Sequence, residues 1–224
     1  GRTLVTTPGS RPRLHRRPHR SGGLKAAIAT RTEPIPFYGE LGGVNPLVIT
    51  PHAAEERGAD IATGLVDSFT LGGGQFCTKP GLVLVPEGVA GDELVSSVRR
   101  LTSTRPLPAL LNESIADSYR DSVDRIAKTT DLTQSAADAA DGFRARPAVA
   151  VLDADQFDAS AVEEIFGPIV LLVRYGPDTL VPLIERLPGA LVGTVHGGSS
   201  EDPVRDSAAA ALSGRSGRLL FDGY

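Results

Sequence analysis

The sequence contains no methionine and no tryptophan, one cysteine, and only 5% aromatic residues in 224. A lone cysteine, Cys77, cannot close an internal disulfide or assemble a thiolate zinc centre, so it is either a small buried hydrophobe or a reactive thiol. With four scattered histidines beside it, no metal site is expected. No run of about 18 apolar residues occurs, which excludes a transmembrane helix, and no charged, apolar and small-residue succession marks a secretory signal. A cytoplasmic location is therefore expected, with no membrane partner. A chain that starts at Gly1 and has no methionine reads as a fragment or a processed product.

What is present is ordinary for a folded domain: 41% hydrophobic and 22% charged residues, enough to bury a core. Charge is unevenly spread. Residues 1–32 carry eight Lys or Arg and no acid, leaving 15 basic against 27 acidic residues in the remainder. An acidic body argues against nucleic acid as a partner, because phosphate binding needs a basic face on the folded part. Residues 1–20 mix Arg, Pro, Thr and His without apolar periodicity and read as an unpacked basic arm; residues 21–224 read as the folded domain. Gly22 and Gly23 precede a short helix pattern through Leu24, Ala27 and Ile28, and Pro34 and Pro36 break any helix before Phe37 and Tyr38.

From there strand-like and helix-like segments alternate, which predicts an α/β fold with a mainly parallel, twisted sheet flanked by helices, βαβ throughout. Strands are expected at Val44–Thr50, Leu82–Val85, Ala148–Leu152, Ile169–Arg174, Ala190–His196 and Arg218–Phe221. Helices are expected at Ala53–Phe69, where Ile61, Leu65 and Phe69 recur every four residues, around Leu94, Val98 and Leu101, around Ile115, Tyr119, Val123 and Ile126, and at Leu180–Arg186 and Pro203–Leu212.

Three windows carry chemistry. LGGGQFCTKPG at Leu71–Gly81 sets the cysteine between a glycine run and a strand, where backbone can approach a substrate closely. By its context alone such a cysteine is more often structural than catalytic. YGELGGVNP at Tyr38–Pro46 and AVEEIFGPIV at Ala161–Val170 each place a carboxylate and glycine beside an apolar strand. Taken singly, Glu40 reads as a solvated loop carboxylate, Phe166 as core, and Glu163 with Glu164 as turn caps. His15 and His19 lie in the arm, His52 in a loop and His196 at a strand end; surface or capping roles suit them best.

In this order and at these separations, the three windows resemble the aldehyde dehydrogenase superfamily over about Arg20 to Tyr224. The wording is most similar to the NADP-preferring branch that includes 2,5-dioxovalerate (α-ketoglutaric semialdehyde) dehydrogenases. The resemblance implies an oxidoreductase that takes a small aldehyde and NADP or NAD. Cys77 then attacks the aldehyde, and the thiohemiacetal loses hydride to the nicotinamide and becomes a thioester; Glu40 activates the hydrolytic water. It also implies that Glu164 bonds the nicotinamide ribose, that Phe166 packs beside the nicotinamide, and that Gly42 and Gly43 keep the loop behind Glu40 slim. The Cys77 N–H would form half of an oxyanion hole, with Thr78 lining the pocket.

The likeness also breaks. The family's other oxyanion donor is an asparagine side chain, and neither Asn45 nor Asn112 lies in its context; a Gly-x-Thr-Gly-Ser cofactor turn is missing too. The expectation is a catalytic domain truncated at both ends relative to a family of homo-oligomers, with apolar surface left exposed and little activity alone. Two alternatives stay open: a non-catalytic remnant that at most binds another subunit, and a reductase of acyl phosphates on the same fold. The presence of Glu40 favours oxidation, since thioester hydrolysis needs a base.

Overall fold

The computed structural model describes residues 13–15, 26–33, 35–36, 38–40, 42–137, 142–159 and 162–224. Most of the arm, Gly22 to Leu24, Pro34 and Phe37 lie outside the described residues. The chain divides into two compact units, residues 1–42 and 43–224. In the first, β1 (Arg13–His15) pairs in parallel with β2 (Tyr38–Glu40), and residues 26–29 form one helical turn.

The second unit is a seven-stranded sheet in the order β5-β6-β7-β4-β3-β8-β9. Its strands are β3 (Asn45–Ile49), β4 (Pro80–Pro86), β5 (Asp131–Gln134), β6 (Ala148–Asp153), β7 (Ile169–Tyr175), β8 (Ala190–His196) and β9 (Ser216–Phe221). The helices are α1 (Pro51–Thr70), α2 (Val89–Ser103), α3 (Glu113–Ile126), α4 (Leu180–Arg186) and α5 (Pro203–Ser213). All strand pairs are parallel except β5 with β6.

Alternation along the strands decides which helices cover which face. Leu47, Ile49, Val83, Val85, Val149, Val151, Val170 and Leu172 pack with Ile61, Leu65 and Phe69 of α1 and Leu94 and Val98 of α2. Val48, Leu82, Leu84, Val173 and Val195 face the other way, onto Leu183 and Ile184 of α4 and Ala208 and Leu212 of α5. Both faces are covered, so the central strands read as nearly continuous apolar runs. Helix α3 packs through Ala116, Tyr119 and Val123 against Leu110, Ala145, Ala148 and Ile169.

In the first unit, Arg13–His15 of the arm expected to be unpacked, and Tyr38–Glu40, form an unforeseen strand pair; in the second, the predicted elements are present, with two departures from a uniform βαβ order. Helices α2 and α3 follow one another without an intervening strand, and β5 is an antiparallel edge strand absent from the sequence reading. Its four residues, DLTQ, are exposed or half-buried, so they carry no apolar run to betray them.

The carboxyl ends of β3 and β8 are tied by a polar cluster. Thr50 caps α1, its Oγ1 accepting from the Ala53 N–H at 3.2 Å, and donates to Asp202 Oδ2 at 2.6 Å. Asp202 caps α5 by accepting from the N–H groups of Val204 and Arg205, each at 3.1 Å. Burial would raise the Asp202 carboxyl, but the Thr50 hydroxyl and the Gly198 and Arg205 N–H groups outweigh it and hold the group below the usual range. His52, read as loop, sits in the first turn of α1. His196, read as surface, is 1% exposed, with the Tyr224 ring centroid 5.0 Å from its own.

Candidate active site

The three windows lead into β3, β4 and β7, which are adjacent in the sheet in the order β7-β4-β3 and run parallel. Parallel neighbours begin at the same edge, so topology gathers Gly43, Cys77 and the 164–166 loop at the amino-terminal ends of three contiguous strands. The first window straddles the two units: Glu40 ends β2, Gly42 closes the first unit and Gly43 opens the second.

A close backbone approach joins the other two windows. Gly74 follows α1 in a short 3-10 turn, Leu71–Gly74, with φ of 65°. Its carbonyl accepts from the Gly167 N–H at 3.2 Å. A Cβ on Gly74 would meet the Gly167 carbonyl oxygen at 2.1 Å, and one on Gly167 would meet the Tyr119 ring at 2.1 Å, so neither position has room for a side chain. Tyr119 supports the second loop from below, its hydroxyl donating to the Arg146 carbonyl at 2.6 Å and the Pro168 carbonyl at 3.3 Å. Burial pushes that hydroxyl far above the usual tyrosine range, so it remains a donor.

Cys77 and Thr78 are exposed, and Phe76 beside them is 50% exposed. Two side chains given no role by the sequence reading hold their loop. Gln75 donates through Nε2 to the Gly72 carbonyl at 2.8 Å and accepts at Oε1 from the Leu111 N–H at 2.9 Å. Asn45, buried at the start of β3, donates through Nδ2 to the carbonyls of Cys77 at 2.8 Å and Lys79 at 3.0 Å. Asn112 caps α3 by accepting from the Ile115 N–H at 3.0 Å.

Lys79 is the third residue the sequence did not single out. It is 6% exposed, and its Nζ donates to the Ile169 carbonyl at 2.7 Å. Burial pulls its ammonium down to about 8, against the opposing pull of the Glu164 carboxylate. Both residues border a cavity of about 430 Å³, together with Gly43, Val44, Ile126 and Phe157. Glu164 and Phe166 are half-buried. A Cβ on Gly43 would meet the Ala190 Cα and the Gly189 carbonyl oxygen at 3.9 Å each, an ordinary van der Waals contact. Among the described residues no His, Cys, Asp or Glu cluster could hold a metal ion, and no helix is long and apolar enough to cross a membrane.

An exposed thiol and a cavity bordered by Glu163, Glu164 and Lys79 thus lie at the amino-terminal ends of adjacent strands of one α/β sheet. Residues 24–202 match the sequence pattern described as the aldehyde dehydrogenase family, and the chain belongs to that family. It is 36% identical over 212 residues to alpha-ketoglutaric semialdehyde dehydrogenase 2 of Azospirillum brasilense, covering 92% of this chain and 40% of that protein. It is 30% identical over 216 residues to alpha-ketoglutaric semialdehyde dehydrogenase of Acinetobacter baylyi, covering 91% of this chain and 41% of the relative. The chain thus spans about two fifths of the length of these relatives.

Solved structures share the fold. A proline utilization A mutant from Bradyrhizobium japonicum superposes with a TM-score of 0.81 at 23% identity, covering 99% of this chain and 23% of that one. The Delta-pyrroline-5-carboxylate dehydrogenase of Mycobacterium tuberculosis bound with NAD gives 0.75 at 18% identity, covering 98% and 43%.

Proposed function

We propose that this chain carries the thiol chemistry of an NAD(P)-dependent oxidation of a small semialdehyde to a carboxylate, with 2,5-dioxovalerate the best-supported substrate. The observation that carries this reading is the Gly167 N–H to Gly74 carbonyl bond, which seats the Cys77 loop beside the loop of Glu164 and Phe166. The names of the relatives supply the substrate class.

Cys77 is the nucleophile: its sulfur bonds the aldehyde carbon, and the Cys77 N–H steadies the oxygen that becomes an oxyanion. Thr78 lines the same opening. When bound, a nicotinamide would supply the hydride acceptor needed for the thiol adduct to become an acyl thioester. The residues present fit that group, since Glu164 would offer a ribose hydroxyl a carboxylate acceptor at a cavity that Gly43 also borders. Phe166 would pack beside the nicotinamide, and Gly42 would keep the preceding loop slim. Glu40 takes a proton from the water that hydrolyses the thioester, releasing the carboxylate and restoring the thiol.

The polypeptide alone turns over negligibly. Its only asparagines, Asn45 and Asn112, are committed to the Cys77 loop and to the α3 cap, so neither completes the oxyanion hole. Loss of one such donor slows acyl chemistry by about a hundredfold or more.

An activated nitrophenyl ester tests the thiol without any cofactor. The chain should release nitrophenolate and carry the acyl group on Cys77, and Cys77→Ser should not; Glu40→Gln should slow deacylation by at least about tenfold. An acyl group found on any other residue, or none at all, overturns the reading.

A further inference from the structure

We propose that Asn45 is a positioning residue for the nucleophile: its buried amide fixes the peptide that follows Cys77 and so sets the direction in which the thiol is presented. This rests on the reading of Cys77 given above, and it concerns a side chain that the resemblance assigns no role.

Asn45 is 3% exposed, and its amide is fully engaged. Both Nδ2 hydrogens are used, on the carbonyls of Cys77 and Lys79, and Oδ1 accepts from the Val192 N–H of β8 at 3.0 Å. One side chain therefore ties the entry of β4 to β3 and β8 at the end of the sheet where Cys77 lies. The Lys79 N–H donates to the Phe76 carbonyl at 3.2 Å, which closes Phe76 to Lys79 into a tight turn around the cysteine.

The chemistry of the amide is specific. Its two targets on the loop are carbonyl oxygens, which need donors, while its target on β8 is an N–H, which needs an acceptor; an asparagine meets both demands and a carboxylate meets only the second. In a trans peptide the N–H points opposite the carbonyl. Drawing the Cys77 carbonyl towards Asn45 turns the Thr78 N–H to the other side and removes one rotation of Cys77. The exposed thiol is then held by a rigid backbone rather than carried on a free loop, and addition to a carbonyl is the step that such placement serves.

Two variants separate the bonds. Asn45→Asp keeps the acceptor for Val192 and loses both donors to the loop, and Asn45→Ala loses all three. In each, hydrogen exchange at Lys79, whose N–H closes the turn onto the Phe76 carbonyl, should accelerate at least about tenfold, and acylation of Cys77 by the nitrophenyl ester should slow by a similar factor. Alkylation by iodoacetamide, which makes no comparable demand on approach, should change by less than about twofold. Val98→Ala, a core change in α2 away from the loop, serves as the control and should move neither ratio.

Unchanged exchange, unchanged acylation, or acylation and alkylation falling together would overturn the role of Asn45 while leaving ester acylation of the native chain intact. A native chain that is not acylated sinks the reading of Cys77 itself. Should neither variant fold, the native chain decides. A scalar coupling between Asn45 Nδ2 and the Cys77 carbonyl carbon is expected, and its absence overturns the proposal.

Discussion

Lys79 shows how a single ionisable group can be placed against its own interest. Its ammonium is buried and reaches the Ile169 carbonyl, and the folded chain gives up that proton at about 8 where the unfolded chain keeps it to 10.5. Between those values the unfolded state binds more protons, so stability rises with pH across that window and is level below it. The unfolding free energy of the native chain, relative to Lys79→Met, should increase by about 3 kcal/mol from pH 8 to pH 10.5, measured by urea unfolding. Equal slopes in the two proteins would show the ammonium to be solvated. The sequence reading assigned no role to Lys79, Asn45 or Gln75. Their motif neighbours Cys77 and Glu40 were legible because residue type and spacing announce their chemistry, whereas an amide or ammonium that bonds backbone carbonyls is announced only by what surrounds it.

Among the elements, the junction of the 3-10 turn with the loop before β7 is the least tolerant. Gly74→Ala places a methyl into the Gly167 carbonyl at a positive φ, and should cost roughly 2 kcal/mol or more in urea unfolding. Gly58→Ala in α1, where an added Cβ meets nothing within 4 Å, should be neutral or stabilising by up to about 1 kcal/mol. Equal effects at the two sites would mean that the two loops do not touch. The glycine run was visible in the sequence as a place of close approach, but its partner was not. Gly74 and Gly167 are 93 residues apart and meet because β4 and β7 are neighbours. The edge strand β5 escaped notice for the opposite reason, having no apolar pattern while its register is set by β6.

For the whole molecule, the carboxyl ends of β3, β8 and β9 form a second polar region that governs behaviour in acid. His196 is held below its usual 6.5 by burial first and by the nearby Arg57 guanidinium, with the Asp222 carboxylate opposing them from 3.9 Å. As pH falls through 6.5 the unfolded chain takes up a proton that the folded chain refuses, so stability falls until the folded histidine also protonates. Replacing it with leucine should flatten urea-unfolding stability just below 6.5, and an undiminished slope would show that His196 is not its source. Asp202 acts at lower pH. Its carboxyl is depressed, so the stability it supplies is present above 3.8 and is lost as pH drops through its folded value.

Periodicity and turn residues were enough to predict an α/β sheet with helices on both faces, and three short windows were enough to place the chain among aldehyde dehydrogenases, because apolar alternation and reactive side chains are properties of the chain read in order. Strand adjacency, the Gly74 to Gly167 contact and the grip of Asn45 on the Cys77 carbonyl came with the fold alone. Each joins groups far apart in the chain, and which distant backbones meet depends on the order in which strands pair, which no local pattern encodes.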